Sequence, residues 1–211
     1  WMTPEMGLLI GALLGDGCIT KPDRATMKCA SLTQRKLYLS AAEKIEQRTS
    51  EPLTQKGIAF LFGRDFKNYR ERKRRAPLLW ALGELGLVGQ TAFTKMLPDW
   101  TRLLPKSVAL QILRGLLLTD GHFDKNGGLH FSSRSKSLRD WAAFIAHRFG
   151  CPGSSWEHSI LGKPNYKWSA YREFVSSLIS MMGSFPEKQN FEQVRQISRK
   201  NQRKYCRLNN R

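Results

Sequence analysis

Leu9-Ile10-Gly11-Ala12-Leu13-Leu14-Gly15-Asp16-Gly17 returns, at an offset of 104 residues, as Leu113-Arg114-Gly115-Leu116-Leu117-Leu118-Thr119-Asp120-Gly121. Both copies are apolar helical runs with a glycine at the third position and an acid-glycine pair at the end. The offset is about half of the 211 residues, so the repeat predicts two similar subdomains in one polypeptide, 1–104 and 105–211. The first run opens with Thr3-Pro4-Glu5, an N-cap, a proline at the first helical position and an acid in the first turn. Gly7, Gly11 and Gly15 recur every fourth residue and share one helix face; Gln111, Gly115 and Thr119 occupy the corresponding face of the second run. Glycine inside a helix costs roughly 1 kcal/mol relative to alanine. Three in one short helix point to two helix backbones in close approach.

Each helix is expected to stop at its Asp-Gly pair, with Gly17 and Gly121 available for a left-handed turn. Asp16 and Asp120 then lie at helix C-termini, the negative end of the macrodipole, where a carboxylate is disfavoured. One such acid is only a turn residue. Two at equivalent positions, joined by a glycine-faced helix pair, form a site for a hard divalent cation, with the carbonyls of Gly15 and Thr119 as further oxygen ligands. Magnesium suits that donor set.

These residues resemble the LAGLIDADG homing endonucleases, in the single-chain form that carries two motifs. The second copy is close to the family pattern, and the first departs mainly at Gly15. Gly86-Leu87-Val88-Gly89-Gln90, then Lys95-Met96-Leu97-Pro98, then the second motif, is similar to the order in intein-associated and related members. The resemblance implies an α+β fold, a pseudo-twofold duplicated αββαββα arrangement whose antiparallel sheets form a DNA-binding saddle. It implies a sequence-specific, divalent-metal-dependent endonuclease that breaks both strands of a long target, leaving short 3′ overhangs. Magnesium would be the cofactor, manganese a substitute, and calcium would support binding without cleavage. The partner would be double-stranded DNA and the protein a monomer with internal pseudo-twofold symmetry, acting inside the cell. The other reading of the same fold is a non-catalytic nucleic-acid binder, such as a group I intron maturase or a repressor; retention of both acids favours the enzyme.

Composition agrees with a polyanionic partner. The formal net charge is +18, from 35 Lys and Arg against 17 Asp and Glu. No apolar run approaches the roughly 20 residues that span a bilayer, and the competing partner, an anionic membrane surface, is disfavoured because no amphipathic segment is strong enough to recommend it. Cys18, Cys29, Cys151 and Cys206 show no metal or redox spacing.

After each motif the pattern alternates. Strands are expected over Met27–Thr33 and Leu129–Ser133, followed by helices over Lys36–Arg48 and Lys136–Phe149. Ile58–Phe62 would pair with Phe66–Arg72, and Ser159–Leu161 with Tyr166–Ala170; helices over Ala76–Leu85 and up to Met182 complete the halves. Arg64, Lys67, Arg70, Arg72 and Arg74 fall on the first of these hairpins, and side-chain alternation divides them between its faces. With Arg24, Lys28, Lys163, Lys167 and Trp168 they are the candidates for DNA contact, since a two-stranded ribbon fits the major groove. The basic tail, Phe191 to Arg211, suits phosphates and therefore affinity more than sequence choice.

The family resemblance also implies polar groups around the metal. Gln34, in Leu32-Thr33-Gln34-Arg35, stands where the family places a glutamine, and Arg134 in Ser133-Arg134-Ser135 replaces its counterpart. Lys95 fits the family lysine that precedes the second motif. Gly183 to Lys188 has no lysine at the aligned place, and Lys188 would reach in from nearby. Asp124-Lys125-Asn126-Gly127-Gly128 reads as a hairpin turn, and His122 as a saddle residue, not a metal ligand.

Overall fold

The computed structural model describes residues 1–29, 31–50, 57–61, 76–183, 185, 188 and 191. The first half runs α1 (Pro4–Asp16), β1 (Gly17–Lys21), β2 (Arg24–Lys28), α2 (Leu32–Lys44), β3 (Thr49–Ser50), β4 (Gly57–Leu61) and α3 (Pro77–Glu84). A 3-10 turn over Asp99–Leu103 leads to the second half: α4 (Lys106–Asp120), β5 (Gly121–Phe123), β6 (Leu129–Ser133), α5 (Lys136–Arg148), β7 (Gly153–Ile160), β8 (Lys163–Ala170) and α6 (Arg172–Met182). The expected αββαββα order is present twice, but the second strand pair of the first half is a correction: β3 pairs with β4 (Thr49 with Phe60, Ser50 with Ala59), and since β2 takes the other edge of β4, Ile58–Phe62 has no edge left for the expected partner Phe66–Arg72. Two four-stranded antiparallel sheets result, ordered β1-β2-β4-β3 and β5-β6-β8-β7.

α1 starts as its cap requires: the Thr3 hydroxyl accepts the Met6 amide at 3.2 Å, with Pro4 in the first turn. α1 and α4 then pack with their backbones almost touching. A methyl group on Gly11 would lie 2.0 Å from the Ile112 carbonyl oxygen, and one on Gly115 would lie 2.3 Å from that of Leu8. The side chains flanking this seam, including Leu9, Ile10, Leu13, Leu113 and Leu116, are fully buried.

The helix ends differ from expectation. Gly17 (φ −89°, ψ 161°) and Gly121 (φ −87°, ψ 154°) are extended, so each helix passes straight into a strand without a left-handed turn. Glycine is needed there for space: a methyl group would lie 2.6 Å from the Leu13 Cα in the first case and 2.7 Å from the Leu117 Cα in the second. This direct passage ties β1 and β5 rigidly to the two acids.

Each sheet buries one face. Ile19, Ala25, Met27, Ile58 and Phe60 pack inward in the first sheet; Phe123, Leu129, Phe131, Trp168 and Ala170 do so in the second. The alternate residues, among them Cys18, Arg24, Lys28, His122, Ser132 and Lys167, form the polar faces. The first long strand and its helix begin earlier than the pattern suggested. Ser31 caps α2 by accepting the Gln34 amide at 3.0 Å, and this ends strand geometry before Leu32. β7 and β8 are longer than expected because Leu161 (φ 51°) and Gly162 (φ 71°) close a tight two-residue turn. The expected strand Phe66–Arg72 lies outside the described residues, as do Arg64, Lys67, Arg70, Arg72 and Arg74 and most of the tail. No described helix is long and apolar enough to cross a membrane.

Candidate active site at the ends of the paired helices

Asp16 and Asp120 end the two glycine-faced helices, so the packing that buries the seam also brings the acids together. Asp120 Oδ2 lies 3.4 Å from where a Gly15 side chain would begin. Burial and the neighbouring charge of Asp16 push the Asp120 carboxyl up to about 6, and Lys95 and Lys188 pull part of that back. Gly15 and Thr119 immediately precede the two acids on their helices; the Thr119 hydroxyl is satisfied by the carbonyls of Leu116 (2.9 Å) and Gly115 (3.2 Å).

Two lysines neutralise the site. Lys95 Nζ lies 2.6 Å from the Leu14 carbonyl oxygen, 2.9 Å from that of Gly15 and 3.2 Å from that of Gly17. Lys188 Nζ donates to the equivalent carbonyls of Thr119 (3.1 Å) and Gly121 (2.5 Å). Each ammonium thus caps the negative end of one central helix. Burial lowers the pKa of both lysines, and the two carboxylates oppose it. Lys188 is therefore the positional counterpart of Lys95. It was hidden from alignment because it follows Thr119 by 69 residues, whereas Lys95 follows Gly15 by 80.

A cavity of about 340 Å³ opens beside the acids, and Gly15, Lys95, Asp120, Ser132, Arg134 and Asn165 line it. Gln34 enters from the first half and donates from Nε2 to the Leu118 carbonyl at 3.3 Å, two residues before Asp120. Arg134 donates from Nη1 to the carbonyls of Lys163 (3.2 Å) and Pro164 (3.1 Å), bracing the start of β8 against the cavity. Gln34 and Arg134 are not positional counterparts, contrary to expectation. The matching caps Ser31 and Ser135 align α2 with α5, which places Gln34 opposite the buried Leu138. The cavity is consequently asymmetric.

Ser132 and Asn165 were not singled out from sequence. The alternation of β6 marks Ser132 as a polar-face residue; nothing local marks Asn165, which β8 carries into the cavity.

Of the described candidates for DNA contact, Arg24, Lys28 and Lys163 are exposed and Lys167 is half-buried on the polar face. Trp168 is a correction: at 1% exposure it faces the core, because β8 alternates and its neighbours Lys167 and Ser169 take the outer side. The Asp124 turn is as expected, with Oδ1 accepting the amides of Asn126 and Gly128 at 2.8 Å each. Burial works to raise Asp124, but these bonds and that from His130 outweigh it and hold it at about 2. His122 stacks on His130 at 4.8 Å, on the polar face.

Residues 107–208 match the model of a LAGLIDADG-like domain. The first half repeats the same elements around its own acid-ended helix. The second half of the chain is a LAGLIDADG-like domain. No curated protein matches its sequence. Among solved structures, I-DmoI in complex with DNA and Mn shares the fold at a TM-score of 0.57 and 13% identity, over 86% of this chain and 97% of that one. I-DmoI in complex with DNA and Ca gives 0.54 and 13%, over 85% and 88%. The N-terminal LAGLIDADG domain of DUF199/WhiA gives 0.55 and 10%, over 91% and 88%. The matched domain contains the second of the paired helices, whose terminal acid Asp120 lines the cavity.

The raised pKa of Asp120 has a consequence for stability. Its folded value, about 6, lies above the ordinary value of 3.8, so the folded state binds the proton more tightly. This contribution is full below pH 4 and is lost as pH rises through 6. Asp120→Asn should therefore stabilise the metal-free protein at pH 8, on the order of 2 kcal/mol, and give no gain at pH 4. Thermal melts of both proteins at the two pH values check this; an equal shift at both would show that Asp120 carries no such strain.

Proposed function

We propose that this chain is a sequence-specific, divalent-metal-dependent DNA endonuclease that cuts both strands of a long target and leaves short 3′ overhangs. The carrying observation is the carboxylate pair, one acid from each half, at the junction of two sheets with polar, basic faces. The donor set fits a hard cation: two carboxylates held close enough to raise the pKa of one of them, with backbone oxygens beside them. Among the described residues no three His, Cys, Asp or Glu side chains form a metal cluster, so the ligands would be Asp16, Asp120 and the carbonyls of Gly15 and Thr119. When bound, magnesium would supply positive charge at the scissile phosphate and lower the pKa of an attacking water.

The remaining work falls to the chain's own groups. Lys95 and Lys188 hold positive charge beside the position of a scissile phosphate, where negative charge builds up. Gln34 presents an amide at the end of the second motif, and Arg134, Ser132 and Asn165 polarise one side of the cavity. Arg24, Lys28, Lys163 and Lys167 face the duplex, with Arg64, Lys67, Arg70, Arg72 and Arg74 as further candidates for phosphate and base contacts. The two halves, 1–104 and 105–211, would each address one half of the target, so that a monomer suffices. The fold shared with I-DmoI, solved with DNA and with Mn or Ca, supports this reading by analogy.

One observation favours a second reading. Lys95 and Lys188 donate to the carbonyls of Gly15 and Thr119 and so compete for the backbone oxygens a cation would use, which a non-catalytic nucleic-acid binder such as a maturase or repressor would tolerate. Incubation with a randomised duplex library separates the two. Cut ends with short 3′ overhangs in magnesium, and bound but uncut sites in calcium, establish the enzyme. Enrichment by binding with no cleavage in magnesium or manganese establishes the binder.

Either reading predicts steep salt dependence. The logarithm of affinity should fall with that of salt at a slope of about −0.9 per neutralised phosphate, and Lys28→Ala should make the slope shallower by about one unit. A titration from low to physiological salt that shows constant affinity would contradict the assignment of the basic faces.

A further inference from the structure

Lys95 sits in the irregular segment between α3 and the 3-10 turn, so no helix or strand aims its ammonium. Its peptide is instead tied on both sides. The Lys95 amide donates to the Thr91 carbonyl at 3.0 Å, and its carbonyl accepts the Ser135 hydroxyl. Gln90 closes the loop across its width: its Oε1 accepts the Met96 amide at 2.8 Å, and its Nε2 donates to the Gly86 carbonyl at 3.0 Å. The Gly89 amide fastens the loop to β1 by donating to the Ile19 carbonyl at 2.7 Å.

Ser135 belongs to the other half of the chain. It is 2% exposed, and its oxygen also accepts the Leu138 amide at 3.2 Å, as the N-cap of α5. One hydroxyl therefore uses its acceptor side to start a helix and its proton to hold the backbone of a lysine that serves the first motif. Ser31 makes the same cap on α2, accepting the Gln34 amide at 3.0 Å where Ser135 accepts that of Leu138.

We infer that Ser135 and Gln90 are positioning residues for Lys95. Gln90 keeps the loop folded, and Ser135 fixes it to the second half. The first motif's lysine is aimed only when the second half is docked against it. The effect on cleavage rests on the endonuclease reading; the effect on Lys95 itself does not.

The test uses the full chain and two readouts. Reductive methylation of lysines, followed by mass spectrometry, reports how well each ammonium is held. Ser135→Ala and Gln90→Ala should each raise the rate at Lys95 about fivefold, the loss of one hydrogen bond, with Lys188 unchanged. Ser135→Thr, which keeps the hydroxyl, should restore the wild-type rate, and Ser31→Ala should leave Lys95 as it was. Equal rates at Lys95 in Ser135→Ala and Ser31→Ala would overturn the inference; if Ser135→Ala does not fold, an unchanged rate in Gln90→Ala would do so. In cleavage assays with each strand labelled, Ser135→Ala should slow one strand about fivefold more than the other, and equal slowing of both would overturn the positioning role. If the wild type cuts neither strand, the endonuclease reading fails, and the methylation rates still decide how Lys95 is held.

Discussion

Asp16→Asn and Asp120→Asn should each abolish double-strand cleavage, with a loss above about 10³-fold, the scale on which removing one charge-stabilising group acts in an active centre. Asparagine keeps the size and one oxygen of aspartate but removes the charge on which a divalent cation depends. Site binding should survive, because the proposed phosphate and base contacts lie on the sheets. For Asp120→Asn the loss will not come from unfolding: the charge removed there is one that burial and the partner acid disfavour. Cleavage and gel-shift assays on the same preparations check both halves of the statement. Full cutting by both variants would remove the metal assignment altogether. Calcium should raise the melting temperature of the wild type and leave both variants unmoved, since a ligand that binds only the folded state stabilises it.

The second large effect lies in the seam below the acids. Gly11→Ala and Gly115→Ala should each cost about 3 kcal/mol, the upper part of the range for overpacking. The obstructing atoms are backbone, namely the Ile112 carbonyl for Gly11 and the Leu8 carbonyl and Ala12 amide for Gly115, so no rotamer change relieves the clash. The helices must separate, and the acids at their ends separate with them, so cleavage should fall alongside stability. Gly83→Ala is the control. It lies in α3 with open space where the methyl would go, so it should gain about 1 kcal/mol through helix propensity. A melting temperature unchanged in Gly11→Ala would show that the seam is looser than its glycines imply.

The duplicated motif made much of this legible beforehand. Glycines spaced by four residues, in a helix where glycine is costly, require a close neighbour, and a repeat names that neighbour. The helix cap at Thr3 is a local device, and period-two alternation assigned Leu129–Ser133 without tertiary information; the caps at Ser31 and Ser135 are equally local but were not singled out, and the expected strand Met27–Thr33 runs through Ser31. Alternation also carried the warning about Trp168: adjacent to Lys167 on one strand, it had to face the other way.

Other features depend on distance in space rather than in sequence. Lys188 meets the second motif because the second half is shorter between motif and lysine, and only the folded chain shows that both lysines reach equivalent carbonyls. The straight helix-to-strand passage at Gly17 and Gly121 depends on clearance against Leu13 and Leu117, one turn back, which an Asp-Gly pair does not encode. Ser135's second bond and Arg134's brace on β8 join segments about 30 to 40 residues apart by geometry alone. Local chemistry and repetition therefore determined the helices, most of the strands and the two acids, because each depends on neighbours within a few residues or on a close copy, whereas the pairing of β4 with β3 was not legible. The surroundings of those acids, and the asymmetry between the two halves, were decided by packing, which brings together side chains whose spacing in the chain follows no period.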